Sequence, residues 1–179
     1  MNVFYFIFVF CHLFYKLYRC ELYMNDIEII TGDLRLVEHR VAMLALLEMY
    51  MLDPMGDFGK LTDELAEEIV LGLENQPNYL FFLAKYGSEY VGLANCFINF
   101  STFKAKKLVN IHDFAVSPKY RKLGIGESLM RGIFDYALRM GFCKVTLEVR
   151  HDNEAAQKLY KKMGFKECNT PMYFWEYLL

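Results

Sequence analysis

The sequence predicts an α/β fold of α+β character: a mixed, mostly antiparallel twisted sheet with helices on both faces. Three observations predict it. From residue 27 onward, apolar residues switch between a period of two and a period of 3.6 in the order β-α-α-β-β-β-α-β-α-β. Tyr79 to Tyr86, a Gly87-Ser-Glu turn and Tyr90 to Phe103 read as an antiparallel hairpin. The run around Gly124 reads as strand, loop, helix and strand, a unit that needs parallel neighbours, so the sheet must be mixed.

Each element has its own signal. Ile27 to Leu34 alternates as a strand. Val37 to Leu52 has helical spacing, and Pro54 stops it. Thr62 is a natural N-cap, with Asp63 and Glu64 favouring the dipole of a helix whose apolar face is Leu65, Ile69, Val70 and Leu73. After the hairpin, the polar turn Lys104 to Lys107 leads into a strand over Leu108 to Val116. A helix from Gly124 to about Met140 carries Ile125, Leu129, Ile133, Phe134, Ala137 and Leu138 at core spacing, and Gly141 fits its C′ position. Lys144 to Arg150 is strand-like and Asn153 to Met163 is helical, with Gly164 as a second C′ residue. Met172 to Leu178, containing Trp175, reads as a closing strand.

A chain of 179 residues can bury one sizeable core and is short for two. The net charge of −2 and pI near 6.1 argue against a nucleic-acid binder that relies on a broad basic surface. The five cysteines form no Cys-x-x-Cys pair, which suits reduced thiols in a cytoplasmic protein. The four histidines have no metal-ligand spacing, so no metal is expected. Residues 1–23 are an apolar, aromatic extension. Three readings stay open: translated sequence upstream of a natural start at Met24, an element packed on the domain, or a membrane anchor. Met24-Asn-Asp-Ile-Glu-Ile-Ile opens a plausible first strand and favours the first, with residues 24–179 as a single domain.

The stretch Phe114-Ala-Val-Ser-Pro-Lys-Tyr-Arg121-Lys-Leu-Gly124-Ile-Gly126-Glu-Ser-Leu129 carries the chemistry. A strand-to-helix junction aims unpaired N–H groups at one point, and the helix dipole adds positive potential, so the site suits a phosphate. Arg121 and Lys122 supply positive charge, while Gly124 and Gly126 allow close backbone approach. No Gly-Lys-Ser/Thr follows, which excludes the P-loop, and the third glycine of the dinucleotide fingerprint is missing.

Arg121-x-x-Gly124-x-Gly126, followed about 30 residues later by Asn153-Glu-Ala-Ala-Gln-Lys-Leu-Tyr160-Lys-Lys-Met-Gly164-Phe165, resembles the two signatures of the GNAT superfamily of acyl-CoA-dependent N-acetyltransferases. The resemblance spans Ile27 to Leu178 in element order and is strongest from Asn110 to Lys166. It implies a GNAT-type sheet with a central splayed parallel pair, Leu108–Val116 and Lys144–Arg150, whose gap takes the pantetheine arm. Phe114 and Val116 would contact that arm, and the amides of Lys122, Leu123, Gly124, Ile125 and Gly126 would hold the pyrophosphate of acetyl-CoA. Asn153 would bond the pantetheine or phosphate region, although a plain N-cap role is open as well. Tyr160, two helical turns on, would donate a proton to the departing thiolate.

The implied reaction is attack of a primary amine on the acetyl thioester. An alkyl ammonium must first lose a proton, so a general base is expected. The candidates are Asn110, His112 and Asp113. Strand alternation puts Asn110, His112 and Phe114 on one face and Asp113 on the other, unless a bulge turns Asp113 to the cleft. His112 titrates nearest neutrality. An N–H near Phe114 would stabilise the oxyanion. The segment Tyr50 to Phe58 is expected to meet a small-molecule or peptide amine through charge or cation–π contact. A non-catalytic acyl-CoA-binding regulatory or interaction module is the competing reading. The resemblance also allows a homodimer, for which no stretch of sequence marks an interface.

Overall fold

The computed structural model describes residues 26–56, 59–168, 172 and 175–179. The extension 1–23 and the start at Met24 lie outside them, as do Asp57 and Phe58 of the expected acceptor segment. The chain divides at Glu148/Val149 into two units.

The first unit holds β1 (Ile27–Thr31), α1 (Val37–Met51), α2 (Asp63–Glu74), β2 (Tyr79–Tyr86), β3 (Glu89–Ser101), β4 (Lys106–Val116), α3 (Ile125–Arg139) and β5 (Val145–Leu147). The strands form one sheet in the order β1-β2-β3-β4-β5. Its first three pairings are antiparallel and β4–β5 is parallel, the mixed sheet that the sequence predicts. β2 is buried from Leu80 to Ala84 because both faces are covered. Phe81 and Leu83 pack with Ala42, Met43 and Leu46 of α1, and Val70 and Leu73 of α2 close over that cluster. On the opposite face Phe82 meets Tyr136 of α3 at 5.6 Å between ring centroids, edge to face. Gly132 of α3 sits so close to β1 that a Cβ there would lie 2.5 Å from Ile29 Cγ2.

The end signals are borne out. Thr62 Oγ1 accepts the Leu65 N–H at 3.2 Å, and Gly141 follows α3 with φ 68°. β1 stops at Thr31, three residues earlier than expected; Gly32 still donates its N–H to the Phe81 carbonyl at 2.8 Å, and a side chain there would meet the Phe81 ring. Leu138 is 75% exposed, against its expected core role. It lies nine residues beyond the buried Leu129, about 180° around the helix at ~100° per residue.

β5 is also shorter than its apolar pattern. It pairs with β4 only from Val109↔Val145 to Ile111↔Leu147, whereas β4 runs on to Val116. The ladder therefore ends in mid-strand, and residues 148–150 have no strand geometry. In the second unit α4 (Glu154–Lys162) starts at Asn153, whose Oδ1 accepts the Ala156 N–H at 3.1 Å, and Gly164 follows it at φ 92°. The expected closing strand is not found among the described residues: Met172 and residues 175–178 lie outside any strand and are exposed. A hydrophobic run becomes a strand only when a neighbour takes up its backbone groups.

Candidate active site

The site begins with an irregularity in β4. Cys96 of β3 pairs with Ile111 and Asn95 with Asp113, so His112 is an extra residue without an opposite number. Such a bulge re-aims the side chains after it. Register identifies the faces. Tyr79 pairs with Phe97, which pairs with Asn110; Phe81 pairs with Asn95, which pairs with Asp113. These residues share the α1 face, and alternation from Asn110 carries His112 there too. Phe114 pairs with Ala94, itself opposite Phe82, and so belongs to the α3 face. Simple alternation is therefore corrected. The bulge brings Asn110, His112 and Asp113 onto one face and turns Phe114 to the other.

The three side chains on that face have different surroundings. Asn110 Nδ2 donates to Thr146 Oγ1 at 3.2 Å and lies 3.4 Å from Glu148 Oε2, so it fastens β4 to β5 where the ladder ends. His112 is exposed and stands edge-on to Phe97, 5.7 Å between centroids. Asp113 Oδ2 accepts from Asn95 Nδ2 at 2.9 Å, and Asn95 Oδ1 accepts from the Tyr79 hydroxyl at 2.7 Å. Asn95 and Tyr79 were not among the expected residues. A lone amide in the apolar run Val91-Gly-Leu-Ala-Asn95-Cys96 is the signal that marks the first of them.

After β4 the chain makes a single 3₁₀ turn, Pro118–Tyr120, and anchors Tyr120 in the core. Lys122 and Gly124 then adopt left-handed backbone at φ 65° and 86°. Gly124 is the N-cap of α3 and offers no side-chain cap. Among the described residues the N–H groups of Lys122, Leu123, Gly124, Ile125 and Gly126 have no acceptor. Consecutive unpaired amides at the start of a four-turn helix form an anion cradle. This is the feature by which the loop fits a pyrophosphate.

Arg121 is engaged elsewhere. Its Nε donates to the Val116 carbonyl at 3.1 Å, and its Nη2 contacts Asp53 Oδ2 at 2.7 Å. Asp53 also accepts the Met55 N–H at 3.0 Å. The Arg121 hydrogen bond, and then the Met55 one, hold the Asp53 carboxyl below the usual carboxylate range. The segment after α1 is thus clipped to the loop before α3, and Asp53 is not an isolated charge awaiting a cation. Two shallow depressions of about 480 and 460 Å³ run along α1 and share Ala45 and Met49. The first reaches Asp53 and Pro118, and Glu48 contributes a carboxylate to it.

In the second unit Tyr160 is buried, with its ring 5.8 Å from that of Phe165, and it lies on α4 after the Asn153 cap. Among the described residues no cluster of His, Cys, Asp and Glu suits a metal ion, and no helix is long and apolar enough to cross a membrane.

The sequence pattern of the acetyltransferase (GNAT) family matches residues 43–165. An uncharacterized N-acetyltransferase of Bacillus subtilis, YhfO, is 30% identical over 95 residues, covering 53% of this chain and 63% of that protein. The thialysine N-epsilon-acetyltransferase of Bos taurus is 26% identical over 129 residues, 65% of this chain and 75% of the bovine one. The fold is similar to the crystal structure of an aminoglycoside acetyltransferase, meta-AAC0020, from an uncultured soil metagenomic sample. The TM-score is 0.71 at 20% identity, over 87% of this chain and 98% of that one. The chain spans less than two thirds of the first curated relatives: 63% of the Bacillus protein, and 39% of a second, from Methanocaldococcus jannaschii.

Proposed function

The chain belongs to the acetyltransferase (GNAT) family, and we propose on that premise that it transfers an acetyl group from acetyl-CoA to a primary amine. The observation that carries the reading is the run of amides from Lys122 to Gly126 that have no acceptor among the described residues, next to a strand whose ladder ends partway along. The pyrophosphate would take the amides, with Lys122 as the charged side chain beside them. The pantetheine would run along β4 past Phe114 and Val116, where β5 no longer pairs, and Asn153 would bond the pantetheine or phosphate region. The bulged face with Asn110, His112 and Asp113 would meet the amine, and an N–H near Phe114 would receive the charge on the carbonyl oxygen. Tyr160 would protonate the departing thiolate.

The acceptor is a small-molecule or peptide amine. The names of the bovine and metagenomic proteins speak of a thialysine side chain and of aminoglycosides, both amines. We also assign the protein to the cytoplasm, a reading supported by free thiols at Cys96, Cys143 and Cys168. An acetylation assay over a panel of polyamines, amino acids, aminoglycosides and peptide N-termini, with products detected by mass, tests the function. Acetylated product from one class supports it. Tight acetyl-CoA binding with no product from any class would turn the reading to a non-catalytic acyl-CoA-binding module.

A further inference from the structure

Asn95 is an amide buried to 4% exposure in the middle of the sheet. A group so placed costs about 1–3 kcal/mol if its hydrogen bonds are not met. Both ends of this one are met, by the Tyr79 hydroxyl at 2.7 Å and the Asp113 carboxylate at 2.9 Å. The direction is fixed by chemistry. An amide oxygen only accepts, so Tyr79 donates to it; the amide nitrogen only donates, so Asp113 accepts. The chain of bonds thus ends with a carboxyl oxygen of Asp113 as acceptor, at the residue that the bulge has turned to the α1 face. His112, its neighbour there, has no hydrogen bond to orient it among the described residues.

We propose that Tyr79 and Asn95 are positioning residues which hold Asp113 as an oriented carboxylate and make it, rather than His112, the base that deprotonates the acceptor ammonium. The inference rests on the reading of this face as the amine side of an acetyl-transfer site. In the step, an N–H bond of the ammonium breaks and its proton goes to Asp113. The freed lone pair attacks the thioester carbonyl carbon, and the C–S bond breaks with its electron pair on the coenzyme A sulfur. Of the two protons that the nitrogen loses in becoming an amide, one ends on that sulfur and one passes through Asp113 to solvent.

Among the described residues, the titratable groups linked to Asp113 by sequence, hydrogen bonding or charge are His112 on β4, Tyr79 on β2 and the Cys96 thiol on β3; the α1 residues packed on this face at Phe81 and Leu83 are Ala42, Met43 and Leu46, which do not titrate. Burial first, then neighbouring negative charge, pushes both the Tyr79 phenol and the Cys96 thiol well above their ordinary ranges. Tyr79 therefore remains a donor at every working pH.

The test is a ¹³C NMR titration of the Asp113 carboxyl carbon in wild type, Asn95→Leu and Tyr79→Phe, run beside steady-state kinetics with the best amine of the panel. Loss of the amide donor should raise the Asp113 midpoint by about one pH unit in Asn95→Leu. Tyr79→Phe keeps the ring stacked on Phe81 and guards against a misfolded Asn95 variant; it should shift the midpoint less and in the same direction. Turnover should fall about tenfold in Asn95→Leu through lost orientation, with acetyl-CoA affinity unchanged and the acid limb of kcat/KM moved upward. An Asp113 midpoint unmoved in both variants overturns the proposal. A shifted midpoint with full turnover in Asp113→Asn overturns the role of Asp113 as base. Failure of the acetyl-transfer reading itself is seen separately, as wild-type protein that yields no product while the titration still responds.

Discussion

Replacing Gly124 by aspartate puts a carboxylate at the head of α3, and its consequences divide into a backbone part and a charge part. Gly124 has φ 86°, and a Cβ built there meets no atom within 4 Å. The substitution therefore meets no clash, only the cost of left-handed backbone, about 1–2 kcal/mol for an ordinary residue. That cost falls on the folded protein with or without a bound cofactor, so it lowers stability and leaves affinity alone. Gly124→Ala carries the same backbone cost without the charge. A carboxylate held ~4–5 Å from a phosphate is repelled by about 1 kcal/mol in bulk water and by about 4 at an effective dielectric of ~20. Acetyl-CoA should thus bind Gly124→Asp between ~5-fold and several hundredfold more weakly, and Gly124→Ala within about threefold of wild type. Calorimetric titration at low and high salt reads this directly, because screening should narrow the gap between the two variants. Equal Kd values for Gly124→Asp and Gly124→Ala would refute the assignment of the phosphates to this loop.

Tyr160→Phe should retain acetyl-CoA affinity and slow turnover, most with poor nucleophiles; unchanged kcat across the amine panel would remove its role as acid. Gly132→Ala gains about 1 kcal/mol of helix propensity but drives a methyl to 2.5 Å from Ile29 Cγ2, so the net change should be a loss of up to about 2 kcal/mol. Denaturant unfolding of Gly132→Ala, Ile29→Ala and the double variant should show a coupling of about 1 kcal/mol, and strict additivity would argue against that contact. Asp53→Asn should cost about 1 kcal/mol at pH 7, a small figure because Arg121 is 49% exposed. The depressed carboxyl of Asp53 contributes stability that is complete above its unfolded value near 3.9 and is lost as pH falls through the lower folded value. The wild-type advantage over Asp53→Asn should therefore hold from pH 7 to about 4 and shrink as the pH falls further; an advantage that does not shrink on acidification would point away from the ion pair.

Periodicity located these elements well because each turns a stripe or row of apolar residues inward, buried on α1, α3, β2, β3 and β4 and partly buried on α2 and β1. It failed where pattern and partner separate. Residues 148–150 continue the alternation of β5 and residues 175–178 are rich in aromatic and aliphatic side chains, yet a strand needs a neighbour's carbonyls and amides, which local sequence does not record. The bulge is hidden for the same reason. In Asn110-Ile111-His112-Asp113-Phe114 two successive polar residues interrupt the alternation and allow a bulge, but the extra residue is located only when Asn95 and Cys96 are counted on the partner strand. One inserted residue exchanges the faces of Asp113 and Phe114, so the candidate base was legible as a residue but not as a direction. Tyr79 and Asn95 reach Asp113 across three strands, 34 and 18 positions away in sequence, distances at which no local motif operates.

The loop shows why its signature contains glycines rather than many basic residues. Arg121 carries the most obvious positive charge in the run, yet its guanidinium is balanced by Asp53 and tied to the Val116 carbonyl. Positive potential over the loop must then come chiefly from the unpaired amides, the α3 dipole and Lys122. Recognition by backbone depends on dihedral angles, and the left-handed turn at Gly124 is one that side chains oppose. A protein of net charge −2 can hold a polyanion in this way without a basic surface. The same argument gives Arg121 a structural duty. Removing it should loosen the segment that bears Asp53 as well as the loop, so Arg121→Ala should disturb both amine and acetyl-CoA affinity, whereas Lys122→Ala should weaken acetyl-CoA alone. Kd and KM measured for each substrate in the two variants distinguish these duties, and identical profiles would show that Arg121 serves only as a phosphate ligand.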